Sequence, residues 1–250
     1  MMSKTKLQIV VLGCLLSMKV FAGNMGWDEG GGSLVVTLSA GPAWVTGLEN
    51  ETVFLQPGFA NTYTMDDGDS TLGIAELFVG WNSVSNSSFQ GQLGVAVAGT
   101  SQLELEGSVW QNANPNLNNF NYSFNVRHLS LAAKAKILGD FGYSFYPYVS
   151  GSLGYGYNRA TDFSLSPVTS TTAPAFVFSN NSTGTFTYTA GAGIDISINE
   201  GWRIGLGYEF ADWGAVELGL APIQISPLAS ALEINHIYTQ QFLVSISYLS

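Results

Sequence analysis

The sequence predicts an all-β fold: an eight-stranded antiparallel up-and-down transmembrane β-barrel. Three observations carry this prediction. Apolar residues alternate with small or polar residues over eight stretches, the connections between these stretches are alternately long and short, and the non-apolar face is rich in glycine and serine. Alternation with a period of two indicates strands. Long and short connections in turn are typical of a membrane barrel whose strands run up and down.

The clearest alternation lies between residues 185 and 210, TFTYTAGAGIDISINEGWRIGLGYEF. Residues 186–198 place apolar side chains on one face and threonine, glycine, serine and Asp195 on the other. After Asn199, Glu200 and Gly201 the alternation resumes over residues 202–210, which predicts a β-hairpin with a three-residue connection. Glycine is unfavourable on the water-facing side of a soluble sheet, but it suits the crowded inside of a narrow barrel whose outside meets lipid.

The remaining strands follow in chain order from the same pattern. The eight predicted strands are residues 34–44, 74–81, 89–100, 122–138, 146–159, 186–198, 202–210 and 238–248. The third continues to about residue 106, beyond the roughly 9 to 11 residues that cross a bilayer, so its excess is expected to stand above the membrane. The long connections 45–70, 111–121, 161–183 and 211–235 lack a sustained period and are predicted to be loops. The connections 83–88, 139–145 and 199–201 are short turns.

The N-terminal residues have a separate role. Lys4 and Lys6 precede an apolar run from residue 7 to residue 16, and Ala22 offers a small residue for cleavage, so residues 1–22 are predicted to be a secretory signal peptide. Residues 23–32 form a short lead-in and residues 33–250 the barrel. A competing interpretation uses residues 11–14, which loosely resemble a lipoprotein processing box ending in Cys14.

The composition of the chain excludes two classes of function. Cleavage after Ala22 removes the single cysteine, which excludes disulfides and thiolate chemistry. It leaves all 18 acidic residues against five basic ones, so nucleic-acid binding through a basic surface is excluded. The five basic residues are Arg127, Lys134, Lys136, Arg159 and Arg203.

Charged residues on the predicted inner face form the principal candidate site. They are Glu76, Lys134, Lys136, Asp195, Arg203 and Glu209. Buried charges need partners, and Arg203 is expected opposite Ser197 and diagonal to Asp195, close enough for an ion pair. These side chains are interpreted as a polar plug that fills a lumen too narrow to conduct. A narrow gated pore is the alternative.

Aromatic residues near the strand ends are interpreted as a girdle at the membrane interface and not as a carbohydrate site. They are Trp44, Trp81, Tyr157, Trp202, Tyr208, Trp213 and Tyr248. No cofactor is expected, and no metal site: the acidic segment 65–69 lacks the spacing and closing glutamate of a calcium loop.

With eight alternating strands, three tight turns and four long loops, the chain resembles small Gram-negative outer-membrane barrels. These are the opacity-type surface antigens and the transmembrane domain of outer membrane protein A. The residues from Gly201-Trp202 to Trp213-Gly214 and the closing aromatic strand are its most family-like parts. Such proteins usually end on an aromatic residue that the barrel-assembly machinery reads, whereas here Leu249 and Ser250 follow Tyr248.

The resemblance implies a cell outer-membrane protein with periplasmic termini, extracellular loops and contacts with outer-membrane lipid and lipopolysaccharide. The implied function is structural or surface-interacting, as an adhesin or antigen that binds a host or matrix ligand through its loops, and not enzymatic. One alternative is enzymatic. His128-x-Ser130, with Asp140 further on, is similar to the His-x-Ser pair of outer-membrane lipid A deacylases. However, Leu131 replaces the usual asparagine, and the alternation places the pair inside the barrel.

Overall fold

A computed structural model of the chain describes residues 32–56, 58–65, 71–84, 88–168, 177–220 and 230–250. The strands are β1 (Gly32–Thr46), β2 (Glu51–Gln56), β3 (Phe59–Met65), β4 (Thr71–Val84), β5 (Phe89–Thr100), β6 (Leu103–Trp110), β7 (Asn118–Gly139), β8 (Phe145–Pro167), β9 (Asn181–Asn199), β10 (Trp202–Asp212), β11 (Val216–Glu217), β12 (Glu233–Ile234) and β13 (Tyr238–Leu249). The predicted signal peptide and nearly all of the lead-in lie outside the described residues. No helix in the described ranges is long and apolar enough to cross a membrane.

Eight strands close a ring, which confirms the predicted fold class. In the order β1, β4, β5, β7, β8, β9, β10 and β13, each strand pairs antiparallel with the next, and β13 pairs with β1. A closed ring leaves no unpaired sheet edge within it, as a bilayer requires.

The two ends of the ring differ. At one end, which we call the turn end, short connections join β4 to β5, β7 to β8 and β9 to β10, and Gly32 and Leu249 lie there too. The connection from β9 to β10 is tighter than predicted, because Asn199 already pairs with Trp202 and leaves a two-residue turn. The four long connections meet at the opposite end, which we call the loop end.

Side chains alternate between the outside and the inside of the ring as predicted. On β10, outward Leu206 is 61% exposed, whereas inward Arg203 is 8% exposed. Glycine is needed on the inside, because a Cβ atom at Gly205 would collide with Ser245 and Asp195, and one at Gly207 with the hydroxyl of Tyr148. The outward belt of large apolar side chains is what contact with lipid requires.

Beyond the loop end the chain folds into a second layer, which we call the cap. Here β2, β3, β6, residues 118–126 of β7 and residues 160–167 of β8 form one continuous sheet, and β11 pairs with β12 beside it. Its interior is a cluster of buried apolar side chains that includes Val53, Tyr63, Leu103, Leu105, Val109, Phe120, Tyr122, Phe124, Phe163, Phe178, Trp213, Leu218, Leu232, Ile234 and Ile237.

The cap corrects all four loop predictions. β7 begins at Asn118 inside the predicted loop 111–121, and β11 and β12 lie inside the predicted loop 211–235. The segment 45–70 was predicted to lack strands, but residues 51–56 and 59–65 pair as a hairpin whose inward Val53 and Tyr63 join the cap interior. The segment 161–183 was also predicted to be a loop, but β8 continues to Pro167 and β9 begins at Asn181. Strands this short have too few alternating positions to stand out in a sequence, and burial in the cap stabilises them.

Candidate functional site

The lumen of the ring holds a layer of ion pairs. Lys134 on β7 contacts two acidic side chains: its Nζ lies 2.7 and 2.9 Å from the carboxylate oxygens of Glu76 on β4 and 2.8 Å from Oε2 of Glu209 on β10. These strands are not neighbours in the ring, so the ammonium group bridges the lumen from wall to wall. All three side chains are almost fully buried.

A second group of charges lies one step closer to the turn end. Lys136 donates to Oδ2 of Asp195 over 2.6 Å, and its Nζ stands 3.7 Å from the centre of the Tyr148 ring. Arg203 donates from Nη2 to Oε1 of Gln90 over 3.0 Å and lies over the ring of Tyr146. The lumen therefore pairs acidic and basic side chains from different strands.

The predicted pairing of Asp195 with Arg203 is wrong. Arg203 does lie opposite Ser197 in the register, as expected, but Asp195 is bonded to Lys136 instead. In the hairpin alone, Asp195 and Arg203 are the pair expected to meet. Ring closure instead brings Lys136 on β7 within reach of Asp195. One oxygen of Asp195 (Oδ1) and one nitrogen of Arg203 (Nη1) are buried without a hydrogen-bond partner among the described residues.

The six charged residues balance in sign, with three acidic and three basic side chains. Four of them, Glu76, Lys134, Lys136 and Glu209, line a cavity of about 40 Å³ together with wall residues that include Ser39, Gln92 and Ser150. Since a water molecule needs roughly 10 to 15 Å³ of such space, this cavity has room for a few waters. The arrangement suits a filled, charge-neutral lumen.

The three candidate hydrolase residues do not form a triad. His128 is buried in the lumen, hydrogen-bonded through Nδ1 to Oδ1 of Asn158 over 2.6 Å and stacked on the Trp213 ring. Ser130 lines the same small cavity inside the ring as His128. Asp140 lies away from both, at the turn end, where it accepts hydrogen bonds from Gln90 and from the backbone N–H of Gly142. The described contacts of His128 are therefore an amide and an indole, not the carboxylate that a triad uses.

The cap lies over the lumen at the loop end. Its aromatic rings pack edge to face and in stacks, for example Tyr63 on Tyr122 at 5.3 Å and Phe163 on Phe178 at 5.1 Å between ring centres. Burial in this cluster raises the pKa of the Tyr63 hydroxyl well above its usual range. The interior of the cap is thus apolar.

Six of the seven aromatic residues predicted for the membrane girdle lie on the outward face of the ring. They are Trp44, Trp81, Tyr157, Trp202, Tyr208 and Tyr248. The prediction is wrong for Trp213, which is 1% exposed and belongs to the cap interior. Its position directly after β10 looked like a strand end at the interface, but the chain turns inward there, with Gly214 in a left-handed conformation at φ +68°.

One polar pair at the loop end was missed by sequence analysis. Nδ1 of His236 lies 2.8 Å from Oδ2 of Asp212, whose other oxygen accepts a hydrogen bond from the backbone N–H of Gly214. These residues are far apart in sequence and share no motif, so only the pairing of β10 with β13 brings them together.

The described residues contain no cluster of three or more histidine, cysteine or acidic side chains that could hold a metal ion. Most of the acidic segment 65–69 lies outside the described residues. In the cap, partial burial and the neighbouring carboxylates of Glu233 and Glu49 raise the pKa of the Glu51 carboxyl.

The closed ring, its apolar belt and its filled lumen define a transmembrane β-barrel of the outer-membrane kind. No protein-family model and no curated protein matches the sequence. Solved structures with a similar fold include Neisserial surface protein A, with 10% identity, a TM-score of 0.43 and coverage of 87% of this chain and 98% of that one.

Two further structures are similar in the same way. The attachment invasion locus protein Ail of Yersinia pestis, solved with the heparin analogue sucrose octasulfate, has 14% identity, a TM-score of 0.38 and coverage of 89% and 99% of the two chains. OprG of Pseudomonas aeruginosa has 14% identity, a TM-score of 0.42 and coverage of 86% and 95%. All three are outer-membrane barrels, and the similarity is one of fold.

Proposed function

We propose that this chain is a surface protein of the outer membrane, with its termini in the periplasm and its cap outside the cell, and that it interacts with a host or matrix ligand through the cap. The observation that carries the proposal is that the described parts of the long connections are folded. They build a sheet with its own apolar interior and a separate outward face, and a preordered surface loses little conformational entropy on binding.

The outward face of the cap sheet is polar and hydroxyl-rich. Ser123 and Ser164 meet across β7 and β8 at 3.1 Å, and Thr64, Ser108 and Asn121 are linked across β3, β6 and β7. Hydroxyl and amide groups both donate and accept hydrogen bonds, so this face suits a ligand that also carries many hydroxyl groups. A surface glycan is the ligand class that we propose.

The lumen is proposed to be a closed plug, and the proposal includes no catalytic role. The bridging of Lys134 to Glu76 and Glu209, together with the cap interior above it, supports a barrel that does not conduct. The narrow pore remains the second candidate because a cavity lined by Glu76, Lys134, Lys136 and Glu209 lies in the lumen.

The proposal is tested by binding. We expect intact cells that carry the triple variant Asn121→Ala, Ser123→Ala, Ser164→Ala to lose binding to arrayed host-surface glycans by on the order of tenfold, because several hydrogen bonds of about 1 kcal/mol each are removed. The matched control is Ser83→Ala, the same kind of change on an exposed residue at the turn end. Unchanged glycan binding by the triple variant contradicts the proposed cap face.

Orientation is tested separately on the same cells. With the predicted signal peptide removed the chain has no cysteine, so single cysteines report position without background. We expect Ser123→Cys to react with a membrane-impermeant maleimide on intact cells and Ser83→Cys to react only after lysis. The reverse pattern contradicts an extracellular cap.

A further inference from the structure

Two adjacent arginines mark the loop-side edge of the apolar belt. Of the five basic residues between residue 32 and the C-terminus, three point into the lumen, and the other two, Arg127 and Arg159, point outward. They are direct cross-strand partners on β7 and β8. The outward basic charge of the described barrel and cap is therefore concentrated at one point.

The position of Arg127 and Arg159 along the barrel axis is well defined. On β7 the outward residues from Leu129 to Ile137 belong to the lipid-facing belt, and on β8 those from Val149 to Tyr157 do the same. Each of these stretches is about as long as the roughly 9 to 11 residues that cross a bilayer. Arg127 and Arg159 are the next outward positions on both strands, where the polar face of the cap begins, so they stand at the level of the lipid headgroups.

The register of the sheet also holds two like charges side by side. Like charges directly opposite each other on a sheet are destabilising. Arg127 donates to the neutral side chain of Gln102 over 2.9 Å. Beyond Arg159 in the same row lies Ser182, exposed on β9, which adds a hydroxyl donor. The row from Gln102 to Ser182 is thus a strip of donors facing the membrane interface.

We propose that Arg127 and Arg159 bind the phosphate of an outer-leaflet lipid headgroup, and specifically a phosphate of lipid A. Two guanidinium groups on opposed strands can both donate to one phosphate, and such charge-assisted bonds are stronger than neutral ones. The phosphate neutralises the repulsion between the arginines while the acyl chains of the lipid lie along Leu129 and Tyr157. The choice of lipid A rests on the proposed extracellular cap, which places this edge in the outer leaflet.

The test uses the full mature chain in nanodiscs of phosphatidylcholine, where binding does not depend on orientation in a cell. The probe is fluorescent bisphosphorylated lipid A, with dephosphorylated lipid A, phosphatidylglycerol and inorganic phosphate as competitors. We expect the double variant Arg127→Gln, Arg159→Gln to bind lipid A about tenfold or more weakly. The matched control, Arg127→Lys, Arg159→Lys, keeps both charges and is expected to lose less than about threefold.

Each outcome decides the proposal. Equal binding by the wild type and the glutamine double variant overturns it, as does loss of the same size in the lysine control. Competition by inorganic phosphate or phosphatidylglycerol as strong as that by lipid A overturns the assignment to lipid A. Folding of every variant is verified by the shift of the unheated protein on a gel. If the double variant does not fold, Arg159→Gln alone, which keeps Arg127 and Gln102 together, gives the same readout. Failure here leaves the glycan-binding proposal standing, because the cap face contains neither arginine.

Discussion

Lys134 is the residue on which the electrostatics of the lumen depend most. Three short hydrogen bonds join its ammonium group to two carboxylates, and all three side chains are buried. A buried charge costs several kcal/mol when it is unpaired. Removing Lys134 alone is therefore expected to destabilise the protein more than removing the charges of Lys134, Glu76 and Glu209 together.

We expect Lys134→Met to lower the free energy of unfolding by about 3 to 5 kcal/mol, because it leaves Glu76 and Glu209 buried without a cation. The triple variant Glu76→Gln, Lys134→Met, Glu209→Gln removes all three charges and is expected to lose less. Both are measured by urea unfolding in lipid vesicles with tryptophan fluorescence. A single variant as stable as the triple variant contradicts this account.

The contacts of a residue could be predicted from the sequence only where its partner lies nearby along the chain. The inward position of the six charged residues follows from alternation alone, since each lies on a strand with period two. Their partners do not follow, because Lys134 and Glu209 are 75 positions apart and meet only when the ring closes. Trp213 was misplaced for a related reason: a strand-end aromatic looks the same in sequence whether the chain continues outward or turns into the cap.

The strands of the ring were the most predictable elements. Each combines an apolar face with a face of small residues over a length that spans a bilayer, and few other structures produce this pattern. The cap strands were less predictable, although the alternation of Phe120, Tyr122 and Phe124 with Asn121 and Ser123 was visible. Only residues from 122 onward were assigned to a strand, whereas residues 120 and 121 were assigned to a loop. A strand that leaves the membrane needs an apolar interior to pack against, and only the fold reveals that interior.

The lipid-facing belt makes a quantitative prediction at the level of the strand. Leu206 lies in the middle of the outward face of β10, and we expect Leu206→Arg to destabilise the barrel by about 2 to 4 kcal/mol. Ser83→Arg, exposed on β4 at the turn end of the ring and paired with Gly91, is the matched control and is expected to cost about 0 to 1 kcal/mol. Unfolding titrations in vesicles compare the two, and equal costs contradict the assigned depth of the belt.

At the scale of the whole molecule, the proposed closed lumen has two parts. The charged layer lies in the lumen within the ring, and the cap interior lies beyond the loop end. Because these two parts are in series, we propose that either one alone stops ion flow. The loop segments are therefore proposed to be part of the closure as well as the binding surface. Deleting residues 45–70 and 161–183 removes Tyr63 and Phe163 and uncovers Tyr122 and Phe124, which pack against them.

This arrangement predicts a specific pattern of conductance in planar bilayers. We expect the wild type to give no steady openings. The variant Glu76→Ser, Lys134→Ser, Glu209→Ser keeps the cap and is expected to stay closed, and so is Tyr63→Ala, Phe163→Ala, Phe178→Ala, which keeps the charged layer. Only the combination of both sets is expected to produce openings, since it removes both closures. Steady openings by the wild type contradict the closed lumen and favour the pore, whereas openings by one of the two triple variants identify the closure that acts alone.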